Sequence, residues 1–136
     1  MDQLLIMKTT HKSFLSAFIL SAAALGAASS ANAQSGDIAK GTALFATHCS
    51  ECHSMKEGKD KKGPSLFNTF GAKAGQRAGF NYSDAMRAGQ LTWNAETLSN
   101  YIANPKKVVP GGKMKYDGLE SAAERADLIA FLAVKK

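Results

Sequence analysis

The sequence predicts an all-α fold of about four short helices joined by long loops. Three observations carry this reading. Apolar stripes at helical spacing recur in four places, preceded by Asp37, Ser83, Asn94 and Ser121, residue types that favour helix starts. No period-two alternation bounded by turn residues occurs, so almost no sheet is expected. The connections Lys56 to Gly79 and Lys106 to Gly118 are long and rich in Gly and Lys, and loops of that length in a compact domain usually enclose something functional.

The first helix is expected from about Asp37 to His48. Ile38, Gly41, Leu44 and Phe45 share one stripe, and a glycine inside that stripe predicts close approach by another backbone. A short second helix starts at Ser83 and covers Asp84 to Ala88. The third follows Asn94, sets Leu98, Tyr101 and Ile102 on one face and stops before Pro105, because the residue preceding a proline is driven out of the helical region. The last opens on the capping box Ser121-x-x-Glu124. It then aligns Leu128, Ile129, Phe131 and Leu132 and ends in Lys135 and Lys136, cations suited to a helix C-terminus.

Ahead of these helices, a basic stretch (Lys8, His11, Lys12) leads into the apolar run Phe14 to Leu25 and then to Ala31-Asn32-Ala33. That is the form of a cleaved export signal spanning residues 1–33, and the run is too short and too interrupted by Ser16 and Ser21 for a retained membrane anchor. Of 17 basic and 11 acidic residues, the leader takes Lys8, Lys12 and Asp2, so residues 34–136 carry +5. This is one domain with a thin core margin, which an apolar prosthetic group would help. Nucleic-acid binding is disfavoured, because the charge is modest and no recognition motif is present.

Cys49-Ser50-Glu51-Cys52-His53 is a C-x-x-C-H motif, the attachment signature of c-type haem. Two thiols three positions apart can each bond one of two neighbouring porphyrin vinyl groups, and the next imidazole then lies under the iron. A thioredoxin-like thiol pair would need a βαβ pattern, and zinc would need further ligands. A disulfide across two residues would constrain little.

The second axial ligand has to come from far along the chain, because it must reach the opposite face of the porphyrin. His48 and Met55 lie too close to His53, which leaves Met86 and Met114. Met114 follows Pro110-Gly111-Gly112-Lys113, a turn-forming stretch able to hold a thioether over the iron, and is favoured. Met86 falls in a short helix, where core packing is the ordinary role.

At this point the chain resembles the class I cytochromes c of the mitochondrial and alpha-proteobacterial branch. Gly36-Asp37-Ile38-x-Lys40-Gly41, the C-x-x-C-H, Gly63-Pro64-Ser65-Leu66 and Gly79 to Ala85 carry the likeness. So do Leu91-Thr92-Trp93, Asn104-Pro105-Lys106-Lys107, Pro110 to Met114 and Arg125 to Ile129. The resemblance implies first and last helices that cross, with Gly41 and Phe45 against Leu128 and Phe131. It implies that the Pro64 carbonyl accepts the Nδ1 hydrogen of His53, that Tyr101 reaches the Met114 sulfur, and that Tyr82 and Trp93 donate to a haem propionate. It further implies one covalently bound haem c, with His53 and Met114 as iron ligands. Where the family commonly has Arg, Asn and Thr, this chain has Ala72, Met86 and Gly112. Each loses a hydrogen-bonding group, so the buried propionate is expected to titrate nearer neutral pH and move the reduction potential with it.

Methionine ligation leaves iron no open position, which favours electron transfer over oxygen chemistry. The expected protein is therefore not an enzyme. It is a soluble, monomeric periplasmic carrier of single electrons from a quinol-oxidising membrane complex to a terminal oxidase or photosynthetic reaction centre. Lys56, Lys59, Lys61 and Lys62, with Lys106, Lys107, Lys113 and Lys115, would ring the haem edge and steer acidic partners. The rival readings are a haem peroxidase or gas-reactive protein with an open sixth position, and a non-haem thiol oxidoreductase.

Overall fold

Helix α1 (Ile38–His48) begins where the extended backbone of Asp37 lets its carboxylate accept from the Ala39 and Lys40 amides, at 2.8 and 3.1 Å. The same residue donates its own amide to Asp127 Oδ1 at 2.6 Å, fastening the start of α1 to the last helix. The computed structural model in which these contacts are seen describes residues 35–135. The expected leader 1–33 and Lys136 lie outside the described residues.

Helix α2 (Asp84–Ala88) starts at Ser83, whose hydroxyl accepts from the Met86 amide at 3.1 Å. Helix α3 (Ala95–Ala103) carries a complete reciprocal capping box between Asn94 and Thr97 and buries Leu98, Tyr101 and Ile102. The connection expected to be loop from Lys106 onward instead begins with a one-turn helix, α4 (Pro105–Val108). Pro105 ends α3 and is also the first residue of α4, where its fixed φ and missing N–H do no harm. The Asn104 side chain caps it through the Lys107 amide at 3.0 Å. Helix α5 (Ala122–Val134) starts at Ser121, whose hydroxyl accepts from Glu124 at 3.3 Å. Among the described residues the extended structure is one isolated antiparallel bridge, Lys73 to Thr92.

Helices α1 and α5 cross at Gly41. A Cβ there would lie 2.0 Å from the Asp127 carbonyl oxygen and 2.8 Å from Phe131 Cβ, so the backbones touch where only hydrogen fits. Next to the crossing the Phe45 and Phe131 rings pack with centroids 5.3 Å apart. The core they belong to joins Leu98 and Ile102 of α3, Leu119, and Leu128, Ile129, Phe131 and Leu132 of α5. Leu128 is its most enclosed large side chain. This small wedge of three helices forms the back wall of the site, and the loops close the remaining sides.

Candidate functional site

A cavity of about 420 Å³ opens between the end of α1, the loop 52–69, α2, α3, the loop 113–116 and α5. Its wall is mostly apolar, with Leu66, Leu98, Ile102, Leu128 and Leu132 facing in. All eight site residues expected from the sequence line it: Cys49, Cys52, His53, Pro64, Tyr82, Trp93, Tyr101 and Met114. Met86 lines it too, whereas Met55 packs against the core cluster.

The two thiols follow directly from the end of α1. Cys49 is its C-cap, donating its amide to the Phe45 carbonyl at 2.9 Å, and the next turn continues through His53 N to Cys49 O at 2.8 Å. Burial, with the neighbouring Cys52 second, pushes the Cys49 thiol up to about 11. Reactive redox cysteines have the opposite setting, a helix N-terminus or cation that lowers the thiol pKa. Here the pair sits at a helix C-terminus facing an apolar cavity, and Cys49 is held as the neutral thiol.

His53 Nδ1 lies 2.7 Å from the Pro64 carbonyl oxygen. A carbonyl can only accept, so Nδ1 carries the hydrogen and Nε2 keeps its lone pair. Burial lowers the His53 pKa, opposed in part by the Pro64 bond, and the neutral ring a metal requires is therefore favoured. Gly63 makes room for that ring, since a Cβ there would lie 2.4 Å from His53 Cε1.

Trp93 and Tyr101 pack together with ring centroids 5.0 Å apart, and burial pushes the Tyr101 hydroxyl up to about 12. Tyr82 meets Phe80 edge-on at 4.8 Å; its hydroxyl pKa is raised by burial first, with the positive charge of Arg77 acting against the rise. Of the eight lysines expected around the crevice, Lys62, Lys113 and Lys115 stand at the cavity, and all eight are exposed. Lys62 is paired with Glu51 at 2.5 Å and Lys106 with Asp117 at 3.3 Å.

Several contributors escaped the sequence reading. His48 and Tyr116 both line the cavity, with the tyrosine hydroxyl 3.3 Å from His48 Nδ1. Buried Ser54 and Ser65 tie down the loop after the motif, through Ser54 Oγ to Lys59 O at 2.5 Å and Ser65 Oγ to Lys56 O at 2.6 Å. The half-buried Arg77 donates to the Phe67 carbonyl. Its signal was a lone guanidinium within the small-residue stretch Gly71 to Gly79.

The family model described as Cytochrome c matches residues 38–134. The chain belongs to the cytochrome c family. It is 48% identical over 103 residues to a cytochrome c from Chlamydomonas reinhardtii, covering 75% of this chain and 92% of that one. It is 46% identical over 100 residues to a cytochrome c from Cochliobolus lunatus, covering 73% and 93%. The solved structure of cytochrome cH from Methylobacterium extorquens matches with a TM-score of 0.70 and 40% identity, covering 74% of this chain and all of that one. The class I cytochrome c fold is thus the fold of this chain. The cofactor of the family is covalently bound haem c, and Cys49 and Cys52 fit its C-x-x-C-H motif. The residues present suit that group: an apolar cavity, two thiols on its wall, and an imidazole held in the metal-binding tautomer. The protein is a haem electron carrier.

Proposed function

We propose that the chain is a soluble periplasmic shuttle, exported by cleavage after residue 33. It would take single electrons from a quinol-oxidising membrane complex and deliver them to a terminal oxidase or photosynthetic reaction centre. The observation that carries this reading is the convergence of Cys49, Cys52, His53 and Met114 on one apolar cavity. Cys49 and Cys52 would hold haem c through thioether links, with His53 Nε2 and the Met114 sulfur on the iron. Bound there, haem c supplies a one-electron couple whose ferrous state a thioether ligand favours.

The chain's own residues do the rest. The Pro64 carbonyl fixes the His53 ring, and the leucines of α3 and α5 exclude water. The protein is read as a carrier and not a catalyst because Met114 stands in the cavity where an oxygen-activating site would need an open position. For the compartment, the export pattern of residues 1–33 is the support. No helix among the described residues is long and apolar enough to cross a membrane.

The test is the optical spectrum of periplasmically matured protein. Sharp reduced c-type bands plus a weak far-red sulfur-to-iron band are expected. In Met114→Ala the far-red band should vanish and the ferrous form should bind carbon monoxide readily. A wild-type c-type spectrum lacking the far-red band would displace Met114 and favour the open-site reading. Methyl NMR of the same variant shows whether Met86, which lines the cavity, takes the vacated position.

Docking is proposed at the lysine-bearing mouth, with membrane redox complexes as partners and the carrier acting as a monomer. Replacing exposed Lys113 and Lys115 by Gln should slow the bimolecular reaction with an acidic redox partner roughly tenfold at low ionic strength. The difference should fade as salt rises to about 1 M, where the screening length falls to roughly 3 Å. An unchanged rate and salt dependence would remove the steering claim.

A further inference from the structure

The Gly112 amide donates to the Val109 carbonyl and the Leu119 amide to the Ile102 carbonyl, but between them residues 113–118 make no backbone–backbone hydrogen bond among the described residues. This segment carries Met114, so whatever holds it keeps the thioether in the cavity. Its burial alternates: Met114, Tyr116 and Gly118 are half-buried, whereas Lys113, Lys115 and Asp117 are exposed. Side-chain contacts therefore have to tie it down. Lys113 reaches the Asn81 carbonyl at 3.5 Å and Asp117 meets Lys106 at 3.3 Å. Both rely on exposed lysines, whose surface contacts contribute little. The other tie joins the Tyr116 hydroxyl to His48 Nδ1 at 3.3 Å, with the rings edge-on and their centroids 6.2 Å apart. Two rings with few torsions lose less freedom on pairing than lysines do. Both ends are anchored as well, since Tyr116 packs against the core cluster and His48 is the last residue of α1.

We infer that His48 is a positioning residue for Met114, clasping the segment 113–118 over the cavity through the Tyr116 hydroxyl. This rests on the reading of Met114 as an iron ligand. His48 directly precedes Cys49, so it is fixed to the stretch of chain that carries both thiols and His53. Tyr116 lies two residues beyond Met114, and two residues along an extended segment return to the same side. The bond thus fastens the segment bearing one ligand to the wall bearing the other, and both of its residues line the cavity. It survives either protonation state of the imidazole, because a tyrosine hydroxyl donates to a bare Nδ1 and accepts from a protonated one. The clasp is mechanical and not a pH switch.

Added imidazole can replace a methionine on the iron only while the segment is open, so its limiting rate at saturation reports opening. Stopped-flow mixing of the haem-loaded ferric protein with imidazole follows this through loss of the far-red sulfur-to-iron band. His48→Ala and Tyr116→Phe should each keep that band before mixing and lose it roughly three- to tenfold faster than the wild type, the factor for one net hydrogen bond. The double variant should be no faster than either single one, because the same bond is missing in all three. His48→Asn, whose side-chain amide reaches the place of Nδ1, should restore the slow rate. A merely structural role of His48 in α1 would lower the melting temperature and leave the limiting rate unchanged. Wild-type rates in Tyr116→Phe, additive effects in the double variant, or no rescue by His48→Asn would each overturn the proposal. If His48→Ala does not mature, Tyr116→Phe against the wild type decides. A wild type without the far-red band would bring down the Met114 reading and the clasp with it, whereas a wild type with the band and variants of unchanged rate would overturn the clasp alone.

Discussion

Gly41→Ala is expected to destabilise the haem-loaded protein by about 2 kcal/mol or more, although alanine is the better helix former. On helix propensity alone the change should stabilise α1 by roughly 1 kcal/mol. The new Cβ, however, would lie 2.0 Å from the Asp127 carbonyl oxygen and 2.7 Å from its carbon. Both atoms are helix backbone and cannot swing aside as a side-chain tip would. The two helices must move apart, which loosens the Phe45–Phe131 contact at 5.3 Å and the Asp37 amide bond to Asp127 at 2.6 Å. Overpacking of this kind costs typically 1–3 kcal/mol, occasionally more, enough to reverse the propensity gain. For a domain of about 100 residues the melting temperature should fall by on the order of 10 °C. Thermal denaturation followed by circular dichroism measures it, with Ala43→Gly on the exposed face of the same helix as reference. That variant should lose only the propensity term. If Gly41→Ala melted at or above the wild-type temperature, the close crossing of α1 and α5 would be wrong.

The parts of this fold legible in the sequence are those set by neighbours along the chain. Asp37, Ser83, Asn94 and Ser121 each satisfy amides two or three residues ahead, so four helix starts could be read locally. Pro105 was read correctly as the end of α3, but the same residue opens α4, because the Asn104 side chain that caps it turns a stop signal into a start. In the site, Cys49, Cys52 and His53 form one contiguous motif, whereas the partners of other residues are set by folding. His48 was passed over as too close to His53, yet its contact is Tyr116, 68 residues away. Arg77 was not singled out, because its partner, the Phe67 carbonyl ten residues away, is set only once the loop has closed.

Gly63→Ala should weaken the hold of His53 on the iron in the proposed site by roughly 10- to 100-fold, the range seen when a partner that orients a metal ligand is disturbed. The added methyl would meet three atoms of the imidazole at once, Cε1 at 2.4 Å, Nδ1 at 2.8 Å and Nε2 at 2.9 Å. The ring cannot yield freely, because Nδ1 is tied to the Pro64 carbonyl at 2.7 Å. Nor can the backbone, because the Gly63 amide donates to the Cys52 carbonyl at 2.8 Å and its own carbonyl accepts from Lys61 at 2.9 Å. Either the Pro64 bond lengthens or Nε2 turns away from the cavity. Ligation competes with protonation of Nε2, so a 10- to 100-fold weaker bond lets the proton win at a pH one to two units higher. An acid titration of the ferric protein, following the loss of its low-spin spectrum, should show the midpoint raised by that amount. Gly58→Ala separates this from a general effect of glycine replacement. Gly58 has φ +63° and nothing within 4 Å of the new methyl, so it incurs backbone strain of about 1 kcal/mol while leaving the imidazole untouched. Its acid midpoint should stay near the wild-type value. Equal midpoints for Gly63→Ala and the wild type would mean that the ring is not confined between Gly63 and Pro64, and that something other than this loop orients His53.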